Sequence, residues 1–356
     1  MLPLKSAPQN ICIVRLSALG DVTHAVPVLR AIQRCWPQTR VTWICAALEY
    51  KLLSCLEGVR FIVLDKKGGW GTYLKLRREL AGERFDVMLQ MQTSARANVT
   101  GACVKASIKL GWDKYRARDL HRFFMTHSIP ETRQEHQVQG HLSFARTIGL
   151  DAPEPVWDFP VSDEAKAFVD STLPAGKQIL LISPCSSHPS RNWHADRYAA
   201  VADHAIVHHD MAVVLSGGPT ELESATGEAI QQAMKNQPLN LIGKDTLPQL
   251  AALLQRADLV LSPDAGPVHL ANALGTAVIG LHASTWSLRS GPYHSLDLCV
   301  DKFAEAAQRF NGKSPQELRW GTRIEAPGVM DLVETDAVIE RLDFAVGRLK
   351  DQSRSN

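Results

Sequence analysis

Apolar residues along this chain gather in short, nearly unbroken blocks, with polar segments of helix length between them. Residues 11–16 (ICIVRL), 41–45, 61–64, 86–91 and the shorter piece 108–112 read as strands, with helices over 22–35 and near 72–80. Blocks of this kind mark strands covered on both faces, and their alternation with helices predicts a parallel sheet with helices on either side. Residues 128–160 are polar and punctuated by Pro130, Pro153, Pro155 and Pro160 around one helical stretch, 137–148, which predicts a hinge. The pattern then restarts, with strands at 179–183, 212–216, 239–242, 259–262 and 277–281 and helices such as 196–208 and 248–257. Two successive doubly wound α/β domains are expected, over 1–160 and 161–330. In residues 331–350, Leu332, Thr335, Ile339, Leu342, Val346 and Leu349 recur at the steps of an amphipathic helix, and a polar tail, 351–356, follows.

Composition agrees with that division. A chain of 356 residues exceeds one ordinary core, and 45% hydrophobic with 21% charged residues is a globular balance. No segment reaches the roughly 18 apolar residues that span a bilayer, and the opening MLPLKSAPQN lacks the apolar core of a signal peptide, so a cytoplasmic location is expected. The seven cysteines are scattered without a C-x-x-C pair, which points to reduced, packed thiols. The net charge of +2 hides an asymmetry: residues 1–160 hold 22 Lys+Arg against 14 Asp+Glu, and the remainder holds 17 against 23. A basic first half suits an anionic partner such as a phosphorylated lipid, a membrane surface or nucleic acid, the alternative being solvated surface charge. Nucleic acid is disfavoured, because aromatic residues do not interleave with the basic ones.

The most informative stretch is 258–281, DLVLSPDAGPVHLANALGTAVIGL. A buried strand stops at a Pro-Asp-Ala-Gly turn, a short apolar helix follows, and Gly275 closes it before the next strand. The first turn of such a helix offers unpaired backbone N–H groups and partial positive charge, a site for a phosphate-sized anion, and His269 lies one turn in. The competing reading is a structural turn with Asp264 as the helix cap. In the first domain, the opening strand runs through Ser17, Ala18, Leu19 and Gly20 into a helix at Asp21, the sheet edge where open α/β folds bind ligands. There Asp21 is either a proton acceptor or a plain cap.

Several chemistries lack their signatures. The first turn has no G-x-G-x-x-G, and the second strand ends in Ala46-Ala47 without an acidic residue for a ribose. No phosphate-loop lysine motif and no Asp-x-Asp for a divalent ion occur. The histidines at 121, 127, 136 and 141, and at 204, 208 and 209, do not form the zinc-hydrolase motif, and a surface role is expected for the second group. No metal or other cofactor is expected, so any diphosphate must be held by helix N-termini and basic side chains.

Taken in order, VRLSALGDVTHAVPVLRAI, SRNWHADRYAAVA, VVLSGGPTELE, SPDAGPVHLANALGTAVIGLHAST and SGPY at 290–293 resemble the lipopolysaccharide heptosyltransferases of glycosyltransferase family nine over essentially the whole chain. The resemblance implies a GT-B fold, with two Rossmann-like domains facing across a cleft and a C-terminal helix, 331–356, crossing back to the first. It implies an inverting, ADP-heptose-dependent transferase, an anionic lipid-linked oligosaccharide as acceptor, peripheral contact with the inner membrane, and a monomer. It assigns Asp21 as general base and Arg191 as the residue that offsets leaving-group charge. Donor contacts fall to Ser183, Asn192, Gly217, Gly218, Glu221, Gly243, Lys244, Asp264, Ala265, Gly266 and His269. In this scheme Asp264 bonds a sugar hydroxyl and Glu221 the ribose. Acceptor contacts fall to Ser17, Gly20 and His24, and Lys114, Arg116, Arg118 and Arg122 are candidates for contacts to acceptor phosphates, the alternative being an exposed basic loop. Two departures lie beside the donor positions: Ala265 stands where the family commonly has Ser or Thr, and Ala283-Ser284-Thr285-Trp286 replaces a Gly-Pro-Thr-Asp loop. The alternatives are an epimerase of the same fold and a sugar-nucleotide-binding protein without turnover.

Overall fold

The computed structural model describes residues 2–355, with side chains as far as Asp351; Asn356, at the end of the expected polar tail, lies outside the described residues. Contacts divide the chain between Pro160 and Val161 into two units, each carrying one six-stranded parallel sheet. Unit 1 runs β1 (Asn10–Val14), α1 (Leu19–Cys35), β2 (Arg40–Ala46), α2 (Ala47–Leu53), β3 (Val59–Leu64), α3 (Gly69–Glu79), β4 (Phe85–Gln90), α4 (Ala95–Cys103), β5 (Ala106–Gly111), β6 (His127–Ser128) and α5 (Gln137–Ile148). Unit 2 opens with α6 (Asp163–Thr172), β7 (Ile179–Ile182), α7 (Ala195–His209), β8 (Ala212–Leu215), α8 (Glu221–Ala233), β9 (Leu239–Asn240) and α9 (Leu247–Arg256). It continues with β10 (Leu259–Pro263), α10 (Gly266–Ala273), β11 (Ala277–His282), α11 (Ser287–Ser290), β12 (Val300–Asp301), α12 (Phe303–Asn311) and α13 (Thr335–Ser355).

Strand order is β3-β2-β1-β4-β5-β6 in the first sheet and β12-β11-β10-β7-β8-β9 in the second. Each chain segment starts at the centre, winds outward to one edge, returns to the centre and winds to the other. The reversal opens a crevice at the carboxyl ends of the two central strands, β1 beside β4 and β7 beside β10, and ligands bind such sheets there. The central strands are buried on both faces, which is why their sequences are continuously apolar.

The expected hinge is largely built into unit 1. Trp157 and Phe159 are buried, the Trp157 indole Nε1 donates to the Thr23 carbonyl at 2.9 Å, and Arg30 Nε donates to the Trp157 carbonyl at 3.1 Å. Two buried aromatic rings outweigh the flexibility that four prolines suggest. The C-terminal helix begins at Thr335, after a 3₁₀ turn at Val329–Leu332. Its Val338, Leu342, Ala345 and Val346 join the core of unit 2, and its principal contacts are with α7, β11 and β12. Of the second histidine group His208 is exposed, as expected, but the surface reading needs correction for the other two: His204 and His209 both bond the Asp343 carboxylate through Nε2, at 2.8 and 2.6 Å, and tie α13 to α7. Among the described residues no helix is long and apolar enough to cross a membrane.

Candidate active site

At the switch point of unit 2, residues from two loops meet on Asp264. Arg191, from the 3₁₀ turn Pro189–Arg191 after β7, donates from Nη1 to the Asp264 carbonyl at 2.9 Å and lies 3.4 Å from its Oδ2. His269 Nε2 lies 3.4 Å from Oδ1, and Ser290 Oγ donates to Oδ2 at 3.2 Å. Burial alone would raise the Asp264 pKa, but the hydrogen bond and charge of His269, with His282 and Arg191, outweigh it and hold the carboxyl well below the usual range. Asp264 is thus a buried, ionised hub. Both its oxygens are engaged within the unit, and these contacts hold the turn.

Asp264 is not the helix cap. That position belongs to Ala265, which has no side-chain acceptor, so α10 starts without a side chain over its first N–H groups. His282 lies fully buried nearby, its pKa lowered by burial and partly restored by Asp264 and Asp301. A Cβ on Gly280 would come 2.9 Å from the His282 Nε2, which explains a glycine inside β11.

The other predicted donor residues line the same edge of the sheet in differing roles. Ser183 is buried directly after β7. Asn192 Oδ1 accepts from the Ser186 N–H at 2.6 Å and shapes its own loop, while the neighbouring Trp193 is buried and donates to the Val333 carbonyl at 2.8 Å. Gly217 and Gly218 follow β8, and the Gly218 N–H donates to Glu223 Oε1 at 2.8 Å. Glu221, expected to bond a ribose, is exposed at the start of α8, and the carboxylate that holds the glycine loop is Glu223. Gly243 has φ +72 and closes against Pro219, and Lys244 Nζ donates to the Asn240 carbonyl at 2.8 Å. Sequence reasoning passed over Asp245, which takes a hydrogen bond from Ser216 Oγ at 3.1 Å and whose carboxyl burial pushes up to about 6.

The Ala283–Trp286 departure turns largely inward. Ala283, Ser284 and Thr285 are buried, and the Trp286 ring stacks on Phe303 with centroids 5.6 Å apart, so Trp286 serves the core of unit 2.

At the switch point of unit 1, Asp21 stands at the third position of α1, not at its cap. The cap is Ala18, whose N–H donates to Asp21 Oδ2 at 3.3 Å. The same oxygen lies 2.6 Å from Arg15 Nη2. Arg15 follows β1, is buried, and also donates from Nη1 to the Met91 carbonyl just after β4, so it spans the crevice between the two central strands. Gln92 completes the cradle by accepting the N–H groups of Leu16 and Ser17 at 2.8 and 3.3 Å. Gly20 is buried in the first turn, and its carbonyl accepts from Thr23 Oγ1 at 2.6 Å. Arg15 and Gln92 were not singled out in the sequence. The available signal was a cation directly after a buried strand.

His24 is buried beside His141 and His136, with ring centroids at 5.8 and 6.4 Å. Burial and the Arg15 charge lower the His141 pKa to about 3, so its imidazole is neutral. Of the basic acceptor candidates, Arg116 is committed to Asp113 and Glu135 at 2.5 Å each and packs over Trp112, a structural role that corrects its assignment. Lys114 pairs with Glu131 at 2.8 Å on the surface. Arg118 and Arg122 are exposed.

Comparison with known proteins gives this geometry a family. Residues 73–318 match the model of glycosyltransferase family 9 (heptosyltransferase). The chain is 39% identical over 337 residues to the lipopolysaccharide core heptosyltransferase OpsX of Haemophilus influenzae, covering 94% of this chain and 96% of that one. Among solved structures it is similar to a family 9 glycosyl transferase from Veillonella parvula, with a TM-score of 0.77 at 21% identity over 96% and 97% of the two chains. It is also similar to the E. coli heptosyltransferase WaaC with ADP, with a TM-score of 0.72 at 17% identity over 94% and 99%. The two α/β units carry the GT-B fold of those structures, and the chain is a glycosyltransferase belonging to family 9, the heptosyltransferases.

Proposed function

We propose that the protein moves heptose from ADP-heptose to the inner core of lipopolysaccharide, or to a related phosphate-bearing lipid-linked acceptor, at the cytoplasmic face of the inner membrane. Unit 2 is assigned the donor and unit 1 the acceptor and the base. The observation that carries this reading is the pair of switch-point clusters, one anion-accepting and one carrying a carboxylate, in a chain 39% identical to a core heptosyltransferase.

In the proposed reaction Asp21 takes the proton of the acceptor hydroxyl, whose oxygen then attacks the anomeric carbon. The bond from that carbon to the β-phosphate oxygen breaks, and ADP leaves with the electron pair from the opposite face, inverting the centre. Charge gathering on the leaving diphosphate is met by the first turn of α10 and by the Arg191 cation. His269 and Ser290 share the Asp264 carboxylate with Arg191, so the Arg191 charge is not spent on Asp264 alone. No step calls for a metal. Family membership favours transfer over the epimerase and non-catalytic alternatives.

A thermal-shift series with ADP-, UDP- and GDP-sugars tests the donor. ADP-heptose is expected to raise the melting temperature most, because a ligand bound only by the folded state stabilises it; equal or absent shifts would reject this donor.

A further inference from the structure

The surplus charge of unit 1 is confined to one stretch. Residues 66–122 hold 13 Lys+Arg against 5 Asp+Glu, and the rest of residues 1–160 is balanced. The same stretch carries large apolar side chains standing in solvent: Trp70 is 78% exposed, Leu74 57%, Leu120 71% and Phe123 85%. Single apolar residues are ordinary on a protein surface. These four share an edge. Trp70 opens α3 in the connection leaving the carboxyl end of β3, with Leu74 one turn on, and Leu120 and Phe123 lie in the connection leaving the carboxyl end of β5.

Strand order places these two tips around the base. β3 and β5 each stand two strands from β1, on opposite sides, or about 10 Å at the usual strand spacing. Asp21 follows β1 at the same carboxyl edge. Each tip mixes apolar and cationic groups: Lys67 and Lys75 around Trp70, and Arg118 and Arg122 around Phe123, whereas Lys66 is paired with the buried Glu49 at 3.4 Å. Trp and Phe settle at the boundary of lipid headgroups and acyl chains, and Lys and Arg are drawn to anionic headgroups, so this pairing of side chains is complementary to an anionic bilayer.

We propose that this edge of unit 1 docks on an anionic lipid bilayer, with Trp70, Leu74, Leu120 and Phe123 entering the headgroup layer and the flanking lysines and arginines meeting lipid phosphates. The proposal rests on the reading of the acceptor as lipid-linked and gives it a geometry. Asp21 sits between two membrane-touching tips, where the sugars of an acceptor anchored in the same surface project.

Co-sedimentation of the full-length protein with vesicles of phosphatidylglycerol and phosphatidylcholine, against phosphatidylcholine alone, tests it. The protein should partition to the anionic vesicles and be released by salt, and a Trp70→Ser, Phe123→Ser double variant should lose at least tenfold in partitioning while melting like the parent. Brominated acyl chains should quench part of the tryptophan emission, and Trp70→Phe should remove that part. Absence of binding to anionic vesicles, or unchanged binding by the double variant, overturns the proposal. Transfer to a delipidated acceptor oligosaccharide, measured in parallel, separates the two readings: the double variant should retain it, and its absence in the parent protein would count against the proposed reaction rather than the docking surface.

Discussion

The Arg15 guanidinium lies 2.6 Å from the Asp21 carboxylate and is itself pinned to the Met91 carbonyl across the central strands of unit 1. A carboxylate held this way has one orientation, as its proposed role as base requires. Arg15→Ala should therefore leave the KM for ADP-heptose unchanged and lower kcat about a hundredfold, the scale of a misplaced reacting group. Arg15→Lys should be intermediate, because it keeps the charge but loses the planar fork. Steady-state kinetics with both substrates checks this, and an unchanged kcat in Arg15→Ala would remove Arg15 from the account.

Asp264→Asn should destabilise unit 2 by about 3 kcal/mol, since it leaves the half-buried Arg191 cation without its counterion. The pH dependence follows from the depressed pKa of Asp264. Its contribution is complete above the unfolded carboxylate value of ~4 and is lost as pH falls below that. Urea unfolding at pH 7 and pH 3 should show the difference between parent and variant shrinking at the lower pH.

Much of this was legible before the structure, and the failures have physical causes. The strands at 11–16, 259–262 and 277–281 announce themselves because burial on both faces demands continuous apolar sequence. α4, reading ARANVTGAC, shows no apolar stripe that would mark it as a helix. Strand order cannot be read from a pattern that yields elements without their pairing. The contacts it creates, Arg191 with Asp264 and Arg15 with Met91, join residues more than seventy positions apart. Glu223 is the third residue after Thr220, a capping-box spacing that signals its role at the start of α8.

Ala265→Ser supplies the side-chain cap that α10 lacks, at a position whose extended backbone a capping residue adopts. The change should stabilise unit 2 by about 1 kcal/mol, a rise of roughly 2–4 °C in melting temperature for a domain of this size. Calorimetry without ligand checks it, and a lower melting temperature would show that the turn has no room for the hydroxyl.

Two buried histidines make unit 1 sensitive to acid. His121 Nε2 accepts the Trp112 N–H at 3.1 Å while Nδ1 meets Asn98 Oδ1 at 2.8 Å, so a second proton would break the first bond. Burial lowers the pKa of His121 to about 4, and burial with Arg15 lowers that of His141 to about 3. Both folded values lie below the unfolded value of ~6.5. Stability is therefore complete above that pH and falls by up to about 1.4 kcal/mol per unit for each histidine as pH drops toward 4. Chemical denaturation from pH 7 to 4.5 should show this slope, and His121→Gln should flatten it.

The proposed role of Asp21 is to take the acceptor proton during heptose transfer from ADP-heptose. Its most direct test is single-turnover transfer to the lipid-linked core acceptor, read by mass spectrometry as acceptor gaining one heptose with matching release of ADP, in the parent protein and in Asp21→Asn. Stoichiometric product is expected from the parent, and from the variant undiminished ADP-heptose binding with transfer slowed at least a thousandfold. Transfer by Asp21→Asn at the parent rate would contradict it.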